Sequence, residues 1–238
     1  MVGAYIAWMM MARFAANPVI ALIAAVIGCT VLGVLIEKAA YKPLRQSPRI
    51  SLLITAIGVS YFLENVAQLI FGANAHVIPT FIDDTPALIT VVVAGISMVA
   101  LNVLVKKTRM GKAMRAVSED AGAAQLMGIN INNTISFTFA VGSALAGIGS
   151  VLYCCAYPKA TPTMGSMLGL KAFVAAVLGG IGSIPGAMAG GFAIGIAEAL
   201  VSSAGLSEWK DGVVFAILIV VLLVKPTGLM GRPMTEKV

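Results

Sequence analysis

Long apolar runs constrain this chain more than any other feature of its sequence. The run Pro18–Ile36 holds no charged residue and approaches the ~20 residues that a helix needs to cross a bilayer. The whole chain is 59% hydrophobic and 11% charged, whereas soluble domains carry about 25% charged residues. The runs show no alternation of period two, so they indicate helices and not the strands of a barrel. The sequence therefore predicts an all-α, polytopic transmembrane helical bundle, with further runs at Ile50–Phe71, Ala87–Val105, Ile135–Ala156 and Ala187–Ser203.

Three shorter apolar segments decide the number of spans. Residues 1–14 are too short to cross a bilayer alone, so they form either an interfacial or partial helix or the end of a longer one. Leu170–Leu178 is followed by the helix-breaking stretch 179–186 (GGIGSIPG), which marks either a half-helix beside a water-filled cavity or a cytoplasmic turn between two spans. The turn gives the more consistent topology. With the short run Gly212–Val224, the sequence predicts about six spans plus a partial N-terminal helix, in one membrane domain over 1–238.

The basic residues collect in three segments between or after the apolar runs. Residues 37–49 hold four of them, residues 106–115 hold five and residues 225–238 hold three, whereas residues 72–86 hold none. Lys and Arg accumulate in the cytoplasmic loops of membrane proteins, so the three basic segments, with the C-terminus, are predicted to lie in the cytosol. The net charge of +6 therefore indicates membrane topology and not nucleic-acid binding.

The longest polar segment, Lys106–Asn130, is rich in residues that favour helices. Residues 118–120 (Ser-Glu-Asp) supply groups that cap or charge a helix start, and Gly128 is well placed to end the helix. Ala124 and Met127 are predicted to share one face of it. Composition alone allows two interpretations, which are a solvated loop held at the membrane surface by its charges and a docking helix for a soluble partner.

Few ionisable groups lie within the apolar runs, and each of them needs a polar environment. Glu64, Asn65 and Gln68 cluster in the second half of one run, with Glu64 and Gln68 on one helix face. They either reach interfacial water at the outer end of that helix or line a substrate path. Lys171 and Glu198 are the other charges in or near these spans. Both side chains could extend to a membrane interface, as long charged side chains do. Lys171 could instead lie near the substrate path.

The sequence contains none of the common motifs for nucleotide, metal or nucleophile chemistry. Gly111-Lys112 lacks the earlier glycine and the Ser or Thr of a P-loop, so no ATP binding of that kind is predicted. HExxH, CxxC and GxSxG motifs are absent, and the single histidine, His76, is predicted to lie in a solvated outer loop with Asp83 and Asp84. The chain by itself is therefore predicted not to be an enzyme and to use no cofactor or metal. Its three cysteines are interpreted as apolar packing residues, at positions 29, 154 and 155.

Four stretches of the sequence resemble one known family. Residues 109–130, RMGKAMRAVSEDAGAAQLMGIN, are similar to the cytoplasmic coupling segment of the branched-chain amino-acid ABC-transporter permeases of the LivH type. The other stretches are EKAAYKPLRQSPRISLLITAIGVSYFLENVAQLIFG at 37–72, PTMGSMLGLKAFVAAVLGGIGSIPGAMAGG at 162–191 and KPTGLMG at 225–231. These four motifs are long and specific, and with the intervening spans the resemblance covers nearly the whole chain.

The resemblance implies an ABC-importer permease in the bacterial inner membrane, with a definite set of partners. These are two cytosolic ABC ATPase subunits, a second related permease and an extracytoplasmic solute-binding protein that delivers a branched-chain or related small amino acid. Segment 115–128 would transmit closure of the ATPases to the spans. The candidate coupling residues are Arg115, Ala116, Glu119, Asp120, Ala124 and Gly128, and the candidate path residues are Glu64, Asn65, Gln68, Lys171, Gly179, Gly180 and Gly182.

Two other functions stay open at this point. A self-contained secondary transporter or channel would need ion- or proton-coupling groups in the membrane, for which Glu64, Glu198 and Lys171 are the few candidates. A scaffold that does not transport is the third function. It is considered because family members usually begin with a further membrane helix before the stretch that resembles VGAYIAW at 2–8.

Overall fold

The computed structural model describes residues 1–14, 17–45, 47–78, 86–225 and 227–231. Helices make up most of these residues, and the predicted polytopic helical fold is confirmed. The α-helices are α1 (Val2–Phe14), α2 (Pro18–Ile36), α3 (Arg49–Phe71), α4 (Pro86–Lys107), α5 (Arg109–Glu119), α6 (Ala121–Leu126), α7 (Ile131–Ala156), α8 (Met164–Gly179), α9 (Ile184–Ser203) and α10 (Lys210–Val224). Short elements complete the described chain, namely a π-helical turn (Glu37–Tyr41), a 3₁₀ turn (Ser207–Trp209) and the strands β1 (His76–Val77) and β2 (Lys159–Ala160).

Five helices in the described part of the chain are long and apolar enough to cross a membrane. The 13 residues of α1 make it the partial helix that the sequence predicts. Helix α8 is continuous over 16 residues, or ~24 Å, so the apolar run 170–178 is extended at its N-terminal side and is not a nine-residue half-helix. The five long segments are Pro18–Tyr41, Ile50–Phe71, Leu88–Lys107, Ile131–Ala156 and Ile184–Ser203.

Contacts divide the chain into two compact units, and the first comprises Met1–Ser97 with Val103–Gly165. Its centre is α2, which packs against both α1 and α7. Small residues make this possible, because Ala7, Ala21 and Ala25 are fully buried in one apolar cluster with Val151. The unit therefore relies on close helix approach, as is usual where lipid surrounds the outer faces.

Small residues on α7, Ser143 and Gly147, allow α2 to approach closely. A Cβ added to Gly33 of α2 would lie 1.8 Å from the Ser143 Oγ, and one added to Gly147 would lie 3.0 Å from the Cα of Val26. Neither contact leaves room for a side chain on the glycine. The faces of α2 and α7 therefore touch almost backbone to backbone along this stretch.

The loop after α3 is more ordered than the sequence predicts. β1 pairs with β2 in antiparallel register, with His76 opposite Ala160, and Ile78 is buried beside that pair. The imidazole of His76 lies 4.3 Å from the Trp8 ring, and its Nε2 is 2.9 Å from the Phe71 carbonyl oxygen. The solvated loop predicted for His76 is therefore wrong, because distant residues supply the pairing strand and the ring contacts. Asp83 and Asp84 lie outside the described residues.

Segment 37–49 also departs from the prediction, which placed a loop directly after Ile36. The helix continues as the π turn, in which the N–H of Lys42 donates to the carbonyl of Glu37 at 2.8 Å. The chain turns away only beyond Tyr41, near Pro43, and α3 begins after Pro48. The helix therefore continues almost to Pro43, the first residue in this segment that cannot extend it.

The second unit comprises Met98–Asn102 and Ser166–Val238. Helices α8 and α9 meet so closely that a Cβ on Gly179 would lie 2.0 Å from the Gly186 carbonyl oxygen. Between them, Gly180 and Gly182 have φ values of 100° and 96°, which side-chain-bearing residues rarely adopt. The GGIGSIPG stretch therefore forms a tight turn, the alternative that the predicted topology favours.

A short segment after α10 completes the end of α8. The N–H groups of Leu229 and Met230 donate to the carbonyl oxygens of Leu178 and Gly179 at 2.9 and 3.0 Å. The last carbonyls of a helix have no partner within it, so this segment supplies partners that the helix lacks. Gly228 has a φ of 75° and lies against the same turn.

Candidate functional site

The polar segment between α4 and α7 folds as two short helices and not as one. Thr108 caps α5, where its Oγ1 accepts a hydrogen bond from the Gly111 N–H at 3.0 Å. Asp120 ends α5 and caps α6, where its Oδ1 accepts from the Ala123 N–H at 3.0 Å. The predicted helix start near 118–120 is confirmed at Asp120. The preceding basic residues form a helix of their own, which the sequence reasoning missed although Thr108 offered the cap signal.

Helix α6 ends where the sequence predicts. Gly128 has a φ of 81°, its N–H donates to the Gln125 carbonyl at 3.0 Å, and the N–H of Ile129 donates to the Ala124 carbonyl at 3.1 Å. These two bonds are those of a glycine-terminated helix end. Asn130 then caps α7 through the Asn133 N–H at 3.2 Å, so four residues separate α6 from α7. The position of α6 is thereby fixed relative to α7.

The prediction that Ala124 and Met127 share a face is wrong. Ala124 is 4% exposed, whereas Leu126 and Met127 are 90% and 83% exposed. The helical repeat assumed for this pair does not hold, because α6 ends at Leu126 and the glycine turn begins there. Helix α6 packs on α5 and α7. It therefore presents an uncovered apolar pair, which we call the Leu126–Met127 tip.

A buried carboxylate that the sequence reasoning missed lies in the same unit. Glu37 has no exposed surface, although it stands at the start of a basic segment. Its Oε1 is paired with the Arg45 guanidinium, and its Oε2 accepts a hydrogen bond from the Ser136 Oγ at 2.6 Å. Arg45 also donates to the Asn132 side chain on α7. We call these four residues the Glu37 clamp.

An open cavity of about 610 Å³ lies beside the clamp. Its walls come from Arg45, from Gln125 of α6 and from residues 128–132, which connect α6 to α7. Polar groups and helix ends line it, so water fits this space better than an apolar side chain does.

The three candidate path residues on α3 do not share one environment. Glu64 is 8% exposed and faces the interior of its unit, and Gln68, one turn later, is half-buried. Asn65 is exposed, and its Nδ2 donates to the Tyr61 carbonyl of the same helix at 2.7 Å. Glu64 and Gln68 therefore match the shared face predicted for them, whereas Asn65 points elsewhere.

In the second unit, Lys171 is held between two acids. Its Nζ lies 2.8 Å from the Glu198 Oε1 and 2.7 Å from the Asp211 Oδ1, which brings α8, α9 and α10 together. We call these residues the Lys171 triad. Lys171 and Glu198 are therefore paired with charges inside the protein. The sequence reasoning did not connect Asp211 with them.

The candidate residues thus fall into separate groups. All six coupling residues lie on or beside α5 and α6 of the first unit, which also holds Glu64, Asn65 and Gln68. The other path residues, Lys171, Gly179, Gly180 and Gly182, belong to α8 and its turn in the second unit. Among the residues described, no group of three or more His, Cys, Asp or Glu is arranged to hold a metal ion.

Comparisons with known proteins identify the family. The family model described as branched-chain amino acid transport system / permease component matches residues 1–222. The chain is 41% identical to the high-affinity branched-chain amino acid transport system permease protein LivH of Salmonella typhimurium, over all of this chain and 85% of that protein.

Two further relatives are also transport permeases by their names. The chain is 41% identical to the permease protein BraD of Pseudomonas aeruginosa, over 97% of this chain and 77% of BraD. It is 25% identical to the ribose import permease protein RbsC of Escherichia coli, over 79% of this chain and 61% of RbsC. No solved structure matches the chain. With its five membrane-length helices, the chain belongs to the family of permease components of branched-chain amino acid transport systems.

Proposed function

We propose that the chain is the membrane permease subunit of an ATP-driven importer for branched-chain or related small amino acids. The observation that carries this is the Leu126–Met127 tip, an exposed apolar pair on a capped helix that is fixed to the base of α7. An uncovered apolar pair rimmed by polar residues suits a protein partner. In this family the natural partner at the basic side of the membrane is a cytosolic ATPase.

The mechanism is mechanical and needs no covalent chemistry in this chain. Closure of two ATPase subunits on ATP would press on α5 and α6 and displace α7, to which α6 is joined by four residues. The spans would then move between inward-facing and outward-facing arrangements, because ATP-bound partners bind one arrangement more tightly. Arg115, Ala116, Glu119, Asp120, Ala124 and Gly128 are the proposed coupling residues, with Asp120 and Gly128 setting the direction of α6.

The assembly and its orientation follow from the same proposal. The partners are two cytosolic ABC ATPases, a second related permease and an extracytoplasmic solute-binding protein in a bacterial inner membrane. Loops 37–49 and 106–130 and the C-terminus lie in the cytosol, since they carry most of the basic residues.

Each unit contains its own candidate residues for the proposed substrate path. Glu64 and Gln68 are its strongest candidates in the first unit, because a buried carboxylate and a neighbouring amide face inward on one helix. Lys171, Gly179, Gly180 and Gly182 are candidates in the second unit, and Asn65 is the weakest candidate, since it is exposed on another face. A free amino acid carries one positive and one negative charge. A path that contains only a few charged groups of either sign therefore suits its passage.

The proposal is tested by replacing the two apolar residues of the Leu126–Met127 tip with charged ones. Leu126→Asp together with Met127→Asp should reduce copurification of the ATPases by about tenfold or more, as loss of an interfacial hot spot does. Ala124 is the poorer target, because it is buried within this chain and its replacement would disturb α6 itself. Mild-detergent pull-down from native membranes, with mass spectrometry, measures the effect.

The control is Leu206→Asp, an apolar residue that is 54% exposed in the connection between α9 and α10. It should leave the ATPases bound. Unchanged ATPase recovery with the tip variant would remove α6 from the coupling role. If the chain purifies without ATPases, and uptake collapses with an uncoupler while ATP stays high, the secondary transporter is correct instead.

A further inference from the structure

The Glu37 clamp is built from parts that lie far apart in the chain. Glu37 begins the π turn that follows α2, Arg45 lies in the connection to α3, and Asn132 and Ser136 lie in the first turns of α7. Glu37 and Ser136 are 99 positions apart. The clamp is therefore a tertiary connection between the α2–α3 corner and the base of α7, and not a local helix cap.

The α7 side of this connection follows helical spacing. Asn132, Ser136 and Phe139 lie four and three residues apart, so they share one face of α7. Phe139 contacts the Tyr41 ring of the π turn at 5.0 Å between centroids. Ser143, which presses on Gly33 of α2, continues the same face. One stripe of α7 thus grips α2 and its π turn over several helical turns.

The π turn places Glu37 where it can be reached from α7 and from Arg45. Inserting the i→i+5 bond between Lys42 and Glu37 widens the helix at this point, and such insertions in helices often accompany functional sites. The carboxylate is fully buried and uses both oxygens, so it holds two elements together through charge and hydrogen bonding. A buried ion pair is not needed for stability as such, since apolar residues would often serve equally well.

The cavity beside the clamp separates Arg45 from the end of α6. A displacement of α6 would therefore not reach the α2–α3 corner by packing across that space. The hydrogen bonds of Asn132 and Ser136 to Arg45 and Glu37 offer a route through α7 instead.

We propose that Glu37 is a positioning residue for energy coupling, which fastens the α2–α3 corner to the base of α7 through Arg45, Asn132 and Ser136. Through this connection, movement of α5 and α6 is transmitted to α2 and α3. Without the connection, the same movement would only bend α7. This inference rests on the proposed importer function and adds to it a second, non-local part of the coupling apparatus.

The test detaches the clamp from α7 and keeps the ion pair. In the double variant Asn132→Ala with Ser136→Ala, Arg45 still pairs with Glu37, and both altered side chains are at least partly exposed. The matched control is Asn133→Ala with Thr138→Ala, which removes an amide and a hydroxyl from positions of α7 outside that stripe. The complete complex of permeases and ATPases, with loaded binding protein, is reconstituted in proteoliposomes, and ATP hydrolysed per amino acid taken up is measured.

The detached variant should hydrolyse about fivefold more ATP per amino acid, a factor typical of a lost coupling between sites. The concentration of loaded binding protein that half-saturates uptake should not change, and the control should match the unaltered complex. A Ser136→Thr variant keeps the hydroxyl and should therefore show the normal ratio of ATP hydrolysed to amino acid taken up. A purely structural residue would instead alter assembly of the complex and leave this ratio unchanged.

The other outcomes are distinct from this one. A normal ratio in an assembled detached variant overturns the clamp but leaves the importer function intact. Failure of the unaltered complex to take up amino acid overturns both. If the double variant does not assemble, Asn132→Ala and Ser136→Ala are measured separately, since each removes one of the two links to α7. An unchanged ratio in both single variants also overturns the proposal.

Discussion

The Glu37 clamp and the Lys171 triad are both groups of charges within an apolar chain, yet they differ in balance and in burial. The clamp pairs one acid with one base, and its carboxylate has no exposed surface. The triad sets two acids against one base, and its side chains are 21%, 25% and 34% exposed. A charge withdrawn from water must be neutralised and hydrogen-bonded, whereas a partly hydrated group tolerates an excess charge.

The choice of cation follows the same difference. The planar guanidinium of Arg45 reaches Glu37 and Asn132 at once through fixed donors. The ammonium of Lys171 acts as a point charge between Glu198 and Asp211. The first arrangement fixes a geometry, and the second balances charge and allows its members to adjust. We therefore expect the clamp to be sensitive to shape and the triad to be sensitive mainly to charge.

Removing each cation should give the largest contrast. Arg45→Met leaves the Glu37 carboxylate buried without its cation, which should lower the free energy of unfolding by about 3–5 kcal/mol. Lys171→Met leaves two partly hydrated acids and should cost about 1–2 kcal/mol, since solvent screens them. Thermal unfolding in detergent, followed by intrinsic fluorescence, measures both effects.

Salt sharpens this contrast. The destabilisation by Lys171→Met should shrink as ionic strength rises, because exposed charges are screened over about 10 Å at 0.1 M salt. The destabilisation by Arg45→Met should stay constant. Replacing both partners, Glu37→Met with Arg45→Met, should recover most of the lost stability. Equal losses from the two single variants would refute the distinction between a closed and an open group of charges.

Conservative exchange of the cations should give a smaller effect. Arg45→Lys keeps the charge but cannot hold Glu37 and Asn132 together, so it should cost about 1 kcal/mol, the value of one hydrogen bond. Lys171→Arg keeps the charge in a more open site and should change stability by less than about 0.5 kcal/mol. The same unfolding measurement applies, and a larger loss from Lys171→Arg than from Arg45→Lys would show that shape governs the triad.

Neutralising the excess acid should have the smallest effect. Asp211→Asn leaves Lys171 paired with Glu198 and removes the surplus negative charge, so stability should change by no more than about 0.5 kcal/mol. Glu37→Gln, by contrast, removes the only acid of the clamp and should be clearly destabilising. Paired unfolding curves of these two variants test this, and a marked loss with Asp211→Asn would mean that both acids are needed.

The sequence predicts those features that depend on neighbouring residues. The start of α2 at Pro18 and the end of α3 at Phe71 follow from apolar runs bounded by turn residues. The cap at Asp120 and the helix end at Gly128 are equally local. Their agreement with the structure reflects short-range chemistry, namely helix propensity, capping and glycine turns.

The features that the sequence reasoning missed depend on distant contacts. Burial of Glu37 requires Ser136, and order at His76 requires Trp8 and the strand at Lys159–Ala160. No residue close to Glu37 or His76 in the sequence indicates that Ser136 or Trp8 will contact it. Sequence reasoning therefore located the polar helical segment between α4 and α7 but not the clamp, because only the fold brings together residues from the α2–α3 corner and α7.

The segment that closes the end of α8 has a consequence for how the protein is made. The carbonyls of Leu178 and Gly179 accept from N–H groups of Leu229 and Met230, which the ribosome adds about fifty residues later. During synthesis, α8 and α9 are therefore complete before these carbonyls have their partners. The end of α8 can close only after α10 and the segment behind it have been made, so the order of translation sets the order in which this unit takes shape.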